Sequence, residues 1–263
     1  MAYDHIRYWK QDRVAYIVMD RPHVMNALHT AANREMRDAF IEYRDDPEAW
    51  VAIVTGAGDR AFSAGFDLKE AAERGWRRNA AEDEEDRVPF GGITSGFELW
   101  KPVIAAVNGL ALGGGLELAL ACDIVVTAEH AEFGLPEPRV GYVAAAGGVH
   151  RLPRQIPYRH AMGMLLTGRR VSATEAMRFG LVNDVAPGAE LRATAESWAA
   201  EILRCAPLSV RAAKQMCIQG AQLPVDRAMA ENYNEYERMV ASEDAIEGPR
   251  AFTEKRQPSW KGR

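Results

Sequence analysis

The segment "VAYIVMD" (14–20) is a continuous apolar run that closes on an aspartate and the turn-like "RPH", a pattern that predicts a short strand buried on both faces. Beyond it, Met36, Phe40 and Tyr43 recur at helical spacing through "AANREMRDAFIEYRDD", with Thr30 placed to cap that helix. "WVAIVTGAGD" predicts a second strand that runs into a glycine loop. "KPVIAAVNG" (101–109) and "DIVVTAE" (123–129) predict two more, with the glycine-led helix of "ALGGGLELALACD" between them. Strand, helix, strand is the order of a parallel α/β layer. Beyond about residue 157 the β-branched runs stop and helical patterns take over. Residues 69–96 mix both charges, hold no sustained period and end rich in glycine, which predicts a mobile surface segment. Neither an internal repeat nor a separating linker is visible.

Composition narrows the class. A chain of 263 residues, 48% hydrophobic and 26% charged, can bury a full core without disulfide staples. Its net charge of −5, with no basic run, argues against nucleic acid as a partner. Cys122, Cys205 and Cys217 are scattered without metal-ligand spacing, so no metal is expected and a reducing compartment fits. The six histidines form no triad or ligand spacing. No window is long and apolar enough for a membrane span, and the N-terminus is polar and mixed in charge, so the expected location is cytoplasmic.

Two carboxylates and two glycine turns carry the candidate chemistry. Three glycines before a helix let a ligand approach the backbone, and the first turn of that helix has amides without internal partners. Such a place suits a phosphate, or an oxygen that becomes negative only during reaction. The spacing is not the dinucleotide pattern G-x-G-x-x-G. "FSAGFDL" (62–68) follows the strand at 51–55 and offers a second amide, so two loops could bracket one carbonyl oxygen. Glu117 stands inside the apolar helix; Glu137 stands between two prolines in "FGLPEPRVG", held in a rigid loop. They are 20 residues apart, a spacing open to two readings: a solvated or capping pair, or two carboxylates converging on one water.

"RPHVMNAL", "AFSAGFDLKE", "KPVIAAVNGLALGGGLELALACDI", "FGLPEPRVG", "GGVHRLPR", "LLTGRRVSATEAMRFGLV" and "AFTEKR", in this order, resemble the enoyl-CoA hydratase/isomerase (crotonase) family. The resemblance implies an α/β fold, a crotonase-like spiral of ββα units with a helical C-terminal trimerisation region. It divides the chain into a catalytic core at 1–190 and an oligomerisation region at 191–263, assembled as a homotrimer or homohexamer. It further implies hydration of an enoyl-CoA, with coenzyme A as part of the substrate and no permanently bound cofactor. By similarity, Glu117 and Glu137 hold the water and move its proton, and the amides of Phe66 and Gly114 form an oxyanion hole. Ala64 (through its carbonyl), Asp67, Leu68 and Lys69 border the CoA, with Lys255 reaching its 3′-phosphate.

The ending "SEDAIEGPRAFTEKRQPSWKGR" is especially similar to the carnitinyl-CoA dehydratase branch of that family. The chain departs from the branch after Glu137, where "GYVAAAGG" sets Ala144, Ala145 and Ala146 in place of an aspartate and serine. A wall of alanines offers no anion to a trimethylammonium group, which favours a neutral acyl chain. Isomerisation through Glu137 alone, and a non-catalytic acyl-CoA-binding or RNA-binding protein, are the alternatives within the same fold.

Overall fold

The computed structural model describes residues 3–74 and 88–263. Among these residues, ten strands form two sheets. β1 (Ile6–Gln11), β2 (Val14–Met19), β3 (Val51–Gly56), β5 (Val103–Val107), β7 (Ile124–Ala128) and β10 (Asp184–Ala186) lie in that order in the larger one. The smaller sheet holds β4 (Ala61–Ser63), β6 (Leu110–Leu112), β8 (Glu132–Gly134) and β9 (Arg170–Ser172). Only β1 with β2 and β8 with β9 pair antiparallel; every other pairing is parallel. Each of the pairs β3–β4, β5–β6 and β7–β8 sends its first strand to the large sheet and its second to the small one, so the chain advances as a spiral.

The helices are α1 (Thr30–Asp45), α2 (Leu68–Arg74), α3 (Gly114–Ala121), α4 (Gly148–Gln155), α5 (Tyr158–Thr167) and α6 (Ala173–Phe179). They are followed by α7 (Leu191–Leu203), α8 (Pro207–Gly220), α9 (Val225–Ala230), α10 (Asn234–Val240) and α11 (Glu243–Thr253). β2 is buried at all six positions because both faces of the sheet are covered. Ala15, Ile17 and Met19 face the main core with Phe40 and Tyr43 of α1, while Val14 and Tyr16 face Leu191, Ala195 and Ala199 of α7. α7, the first element of the helical C-terminal region, thus seals the second face of the sheet.

Three local expectations change. His29, not Thr30, caps α1: its Nδ1 accepts from the Ala32 N–H, while Thr30 gives its N–H and hydroxyl to the Glu70 carboxylate, both at 2.8 Å. The segment 69–96 divides. Its first residues belong to α2, residues 75–87 lie outside the described residues, and of the rest only Ser95 and Gly96 are exposed at the surface. Gly91, Gly92, Ile93 and Thr94 are buried, and the Gly91 N–H donates to Asn33 Oδ1 on α1 at 2.7 Å. Gly92, at φ +83°, packs so close to the Arg37 backbone that no side chain would fit. Finally, strands do not end at residue 157, since β9 and β10 complete the two sheets.

Candidate active site

Two loops meet where α3 begins. Gly65 adopts φ +92°, and a Cβ there would lie 2.9 Å from the Gly114 nitrogen. Only glycine lets the chain turn and approach this closely. The next residue, Phe66, is held in extended pairing with Leu28: the Leu28 N–H donates to Gly65 O at 2.8 Å and the Asp67 N–H to Leu28 O at 3.2 Å. Gly114 is the first residue of α3, where an amide has no carbonyl one turn back to accept it. The two proposed amide donors therefore belong to segments that touch.

α3 is buried on every side, which explains its unbroken apolar sequence; Glu117 is the exception, 3% exposed. Its Oε1 accepts the Gly148 N–H at 2.8 Å, so the start of α4 supplies a donor to the carboxylate on α3. Burial pushes the Glu117 carboxyl up to about 7; the charge of Glu137 adds to this, while the amides of Gly148 and Ala146 and the Arg151 guanidinium oppose it.

Glu137 opens a 3-10 turn, Glu137–Val140, with Pro136 before it and Pro138 in its first turn, where a missing N–H breaks no helical bond. Its backbone carbonyl accepts from Tyr142, and Gly141 at φ +73° ends the turn. Oε1 lies against Gly113, where a Cβ would stand 3.0 Å away; Oε2 is buried with no hydrogen-bond partner. Burial raises this carboxyl as well. Two carboxyl groups thus sit beside the glycine turn, each raised by burial from the ordinary carboxylate value.

The remaining sequence candidates scatter by role. Ala64 lies in the Gly65 turn, its N–H donated to Met25 O at 2.9 Å. The Asp67 carboxylate is already committed: Oδ2 pairs with Arg21 at 3.1 Å, both largely buried, and Oδ1 accepts from the Lys69 N–H at 3.2 Å. These bonds hold its carboxyl below the usual range against the opposing effect of burial. Leu68 and Lys69 are exposed at the start of α2. Lys255 is exposed just past α11, in a left-handed conformation, φ +55°.

Sequence reasoning missed two side chains of this site. The Phe90 ring lies so tightly on Gly114 that a Cβ there would collide with its Cζ. Arg151 on α4 donates to Thr94 O at 2.8 Å and Ala146 O at 3.4 Å. Phe90 was hidden in a stretch that lacks periodicity. Arg151 had a signal, since it lies one helical turn past the second glycine of "GGVHR", but its neighbour His150 draws attention first and is exposed. Among the described residues no group of His, Cys, Asp and Glu has metal-site geometry, and no helix is long and apolar enough to cross a membrane.

The spiral of ββα units, the glycine turn at a helix start and a carboxylate pair beside it define a class, and comparison with known proteins agrees. A family model described as enoyl-CoA hydratase/isomerase matches residues 10–263. The chain belongs to this family. Carnitinyl-CoA dehydratase of Salmonella heidelberg is 46% identical over 251 residues, 94% of each chain. The crystal structure of an enoyl-CoA hydratase from Mycobacterium tuberculosis superposes with a TM-score of 0.89 at 38% identity, covering 98% of this chain and 99% of that one. That of an enoyl-CoA hydratase from Mycobacterium marinum gives 0.90 at 37% identity over 98% and 99%. The fold is the crotonase fold.

Proposed function

We propose that the protein reversibly adds water across the double bond of a 2-enoyl-CoA thioester. The observation that carries this reading is the placing of two carboxyl groups beside the glycine turn: buried Glu117, bonded to the Gly148 amide, and half-buried Glu137, packed on Gly113. Conjugation to the thioester makes Cβ electrophilic, and attack by water sends charge to the thioester oxygen. The amides of Phe66 and Gly114 receive that charge. Glu117 takes a proton from the attacking water and Glu137 gives one to Cα, so the pair ends the cycle with the proton count it began with. Hydrogen bonding supports this division: the Gly148 amide favours an ionised Glu117, whereas at Glu137 burial outweighs a bond from its own backbone amide and Oε2 has no partner. Isomerases that shift a double bond need one such group; two favour water chemistry.

The Ala64 carbonyl, with Leu68 and Lys69, borders the CoA. Lys255, exposed just past α11, serves the CoA phosphate by reaching a neighbouring subunit's site. Asp67 acts indirectly, by fixing Arg21 and the start of α2. The exposed apolar side chains Val225, Met229, Val240, Ile246 and Phe252 on α9 to α11 supply the surface for a homotrimer or a stacked homohexamer. The workplace is the cytoplasm.

Ala144 to Ala146 place no carboxylate near the acyl group, so the preferred substrate is a neutral enoyl-CoA. Crotonobetainyl-CoA is the second reading, favoured by the 46% identity to a protein named carnitinyl-CoA dehydratase. A panel of crotonyl-CoA, crotonobetainyl-CoA and a 3-enoyl-CoA, followed by loss or gain of the conjugated thioester absorbance, separates them. Hydration of crotonyl-CoA with the highest kcat/KM supports the proposal. Turnover of the betaine alone transfers it to the second reading, and turnover of the 3-enoyl thioester alone makes the protein an isomerase.

A further inference from the structure

We propose that Arg151 is a positioning residue of the carboxylate site, clamping the Phe90–Thr94 turn to the Ala144–Gly148 loop and setting a positive charge beside Glu117. The inference rests on the reading of Glu117 as the group that accepts the water proton. Arg151 lies three residues after Gly148 on α4, so the helix that gives Glu117 its amide donor also carries the guanidinium. The guanidinium donates to Thr94 O at 2.8 Å and to Ala146 O at 3.4 Å, bridging two segments far apart in sequence. Thr94 in turn gives its hydroxyl to Phe90 O at 2.8 Å, and the Phe90 ring rests on Gly114. Gly147, at φ +115°, leaves the space the guanidinium fills, since a Cβ there would collide with its Nη1.

Both acceptors of Arg151 are neutral carbonyls, and among the described residues no carboxylate forms an ion pair with it. It acts instead on Glu117 across half-buried space, where screening by water is weak. The other titratable groups around it have smaller claims. Glu137, on the turn after β8, raises Glu117 rather than supporting its charge. Cys122, at the end of α3, is buried and its thiol is pushed up, hence neutral. On α4, His150 is exposed and Arg154 is turned to the His150 carbonyl. The Phe90–Thr94 turn holds no titratable side chain.

The test compares wild type with Arg151→Gln and Arg151→Lys in two readouts. In substrate-free protein with carboxyl-labelled glutamate, the Glu117 resonance, assigned through Glu117→Gln, is titrated by NMR. In turnover, kcat and KM for crotonyl-CoA are measured from pH 5 to 9. Removal of the charge should move the Glu117 midpoint up by about one unit, lower kcat about tenfold near pH 6.5 and restore it as pH rises. KM should change less than about threefold, because no CoA contact is removed. Arg151→Lys should keep the midpoint near that of wild type. An unmoved midpoint in Arg151→Gln, or activity lost equally at every pH, overturns the proposal and leaves a packing role. If Arg151→Gln does not fold, Arg151→Lys decides: a midpoint shifted as far up as loss of charge predicts contradicts the electrostatic role. Wild-type protein without crotonyl-CoA turnover would refute the proposed function, while the titration would still decide the role of Arg151.

Discussion

Two adjacent glycines show how finely the site is set at single positions. A methyl on Gly114 would strike the far end of the Phe90 ring, which can swing aside; on Gly115 it would strike the Ser63 carbonyl, which is backbone and cannot. Gly114→Ala should therefore fold but lose about a hundredfold in kcat as the amide donor is displaced. Gly115→Ala should lose several kcal/mol, on the order of 3, or fail to accumulate; thermal melts with a turnover assay distinguish the two. Glu117 gives a stability prediction of opposite sign to its catalytic one. Its folded pKa, about 7, lies above the ordinary 4.5, so the folded state holds a proton that the unfolded state gives up between these values. Above pH 7 the ionised group opposes folding by about 3 kcal/mol, an effect that shrinks as pH falls toward 4.5. Glu117→Gln should raise Tm at pH 8 and leave it nearly unchanged at pH 4.5, measured by calorimetry. A Tm lowered at pH 8 would mean that the charge is not opposed by burial.

At the scale of elements, α2 is the short helix that presents Leu68 and Lys69, and Glu70 ties it to α1. The Glu70 carboxylate receives both the N–H and the hydroxyl of Thr30 at the start of α1. Glu70→Ala should cost about 1–2 kcal/mol in urea unfolding and raise KM for the CoA thioester more than it lowers kcat. An unchanged KM would separate α2 from CoA binding. This tie also marks the boundary of what the chain reveals before folding. The long strands β2, β3, β5 and β7 were legible because a sheet covered on both faces demands unbroken apolar runs. The three-residue strands of the small sheet were not, because so few residues show no period. Thr30 carried the usual capping chemistry, yet tertiary contact with Glu70 claimed its hydroxyl and left the cap to His29. Glu117 and Glu137 stood out as acids in places that exclude water or forbid regular structure, but only the fold shows that they meet. Phe90 and Arg151 act through contacts between segments that no local pattern links.

On the scale of the whole molecule, α7 belongs to the sheet core, while α9 to α11 turn apolar side chains to solvent. Phe252 is 85% exposed and Met229 83%, apolar surface suited to the proposed contact between subunits. Sedimentation should find an assembly of three or six chains, and Phe252→Asp combined with Met229→Asp should shift it to monomers with weaker CoA-thioester binding, as Lys255 is separated from its neighbour's site. A monomeric wild type with full activity would remove the proposed role of Lys255. The account as a whole depends on two carboxylates doing water chemistry on a bound thioester. The most direct test is crotonyl-CoA hydration by wild type, Glu117→Gln and Glu137→Gln, with thioester binding measured in parallel by calorimetry. The account predicts that each variant loses at least about a hundredfold in kcat while Kd stays within about threefold. Either variant turning over at the wild-type rate would contradict it.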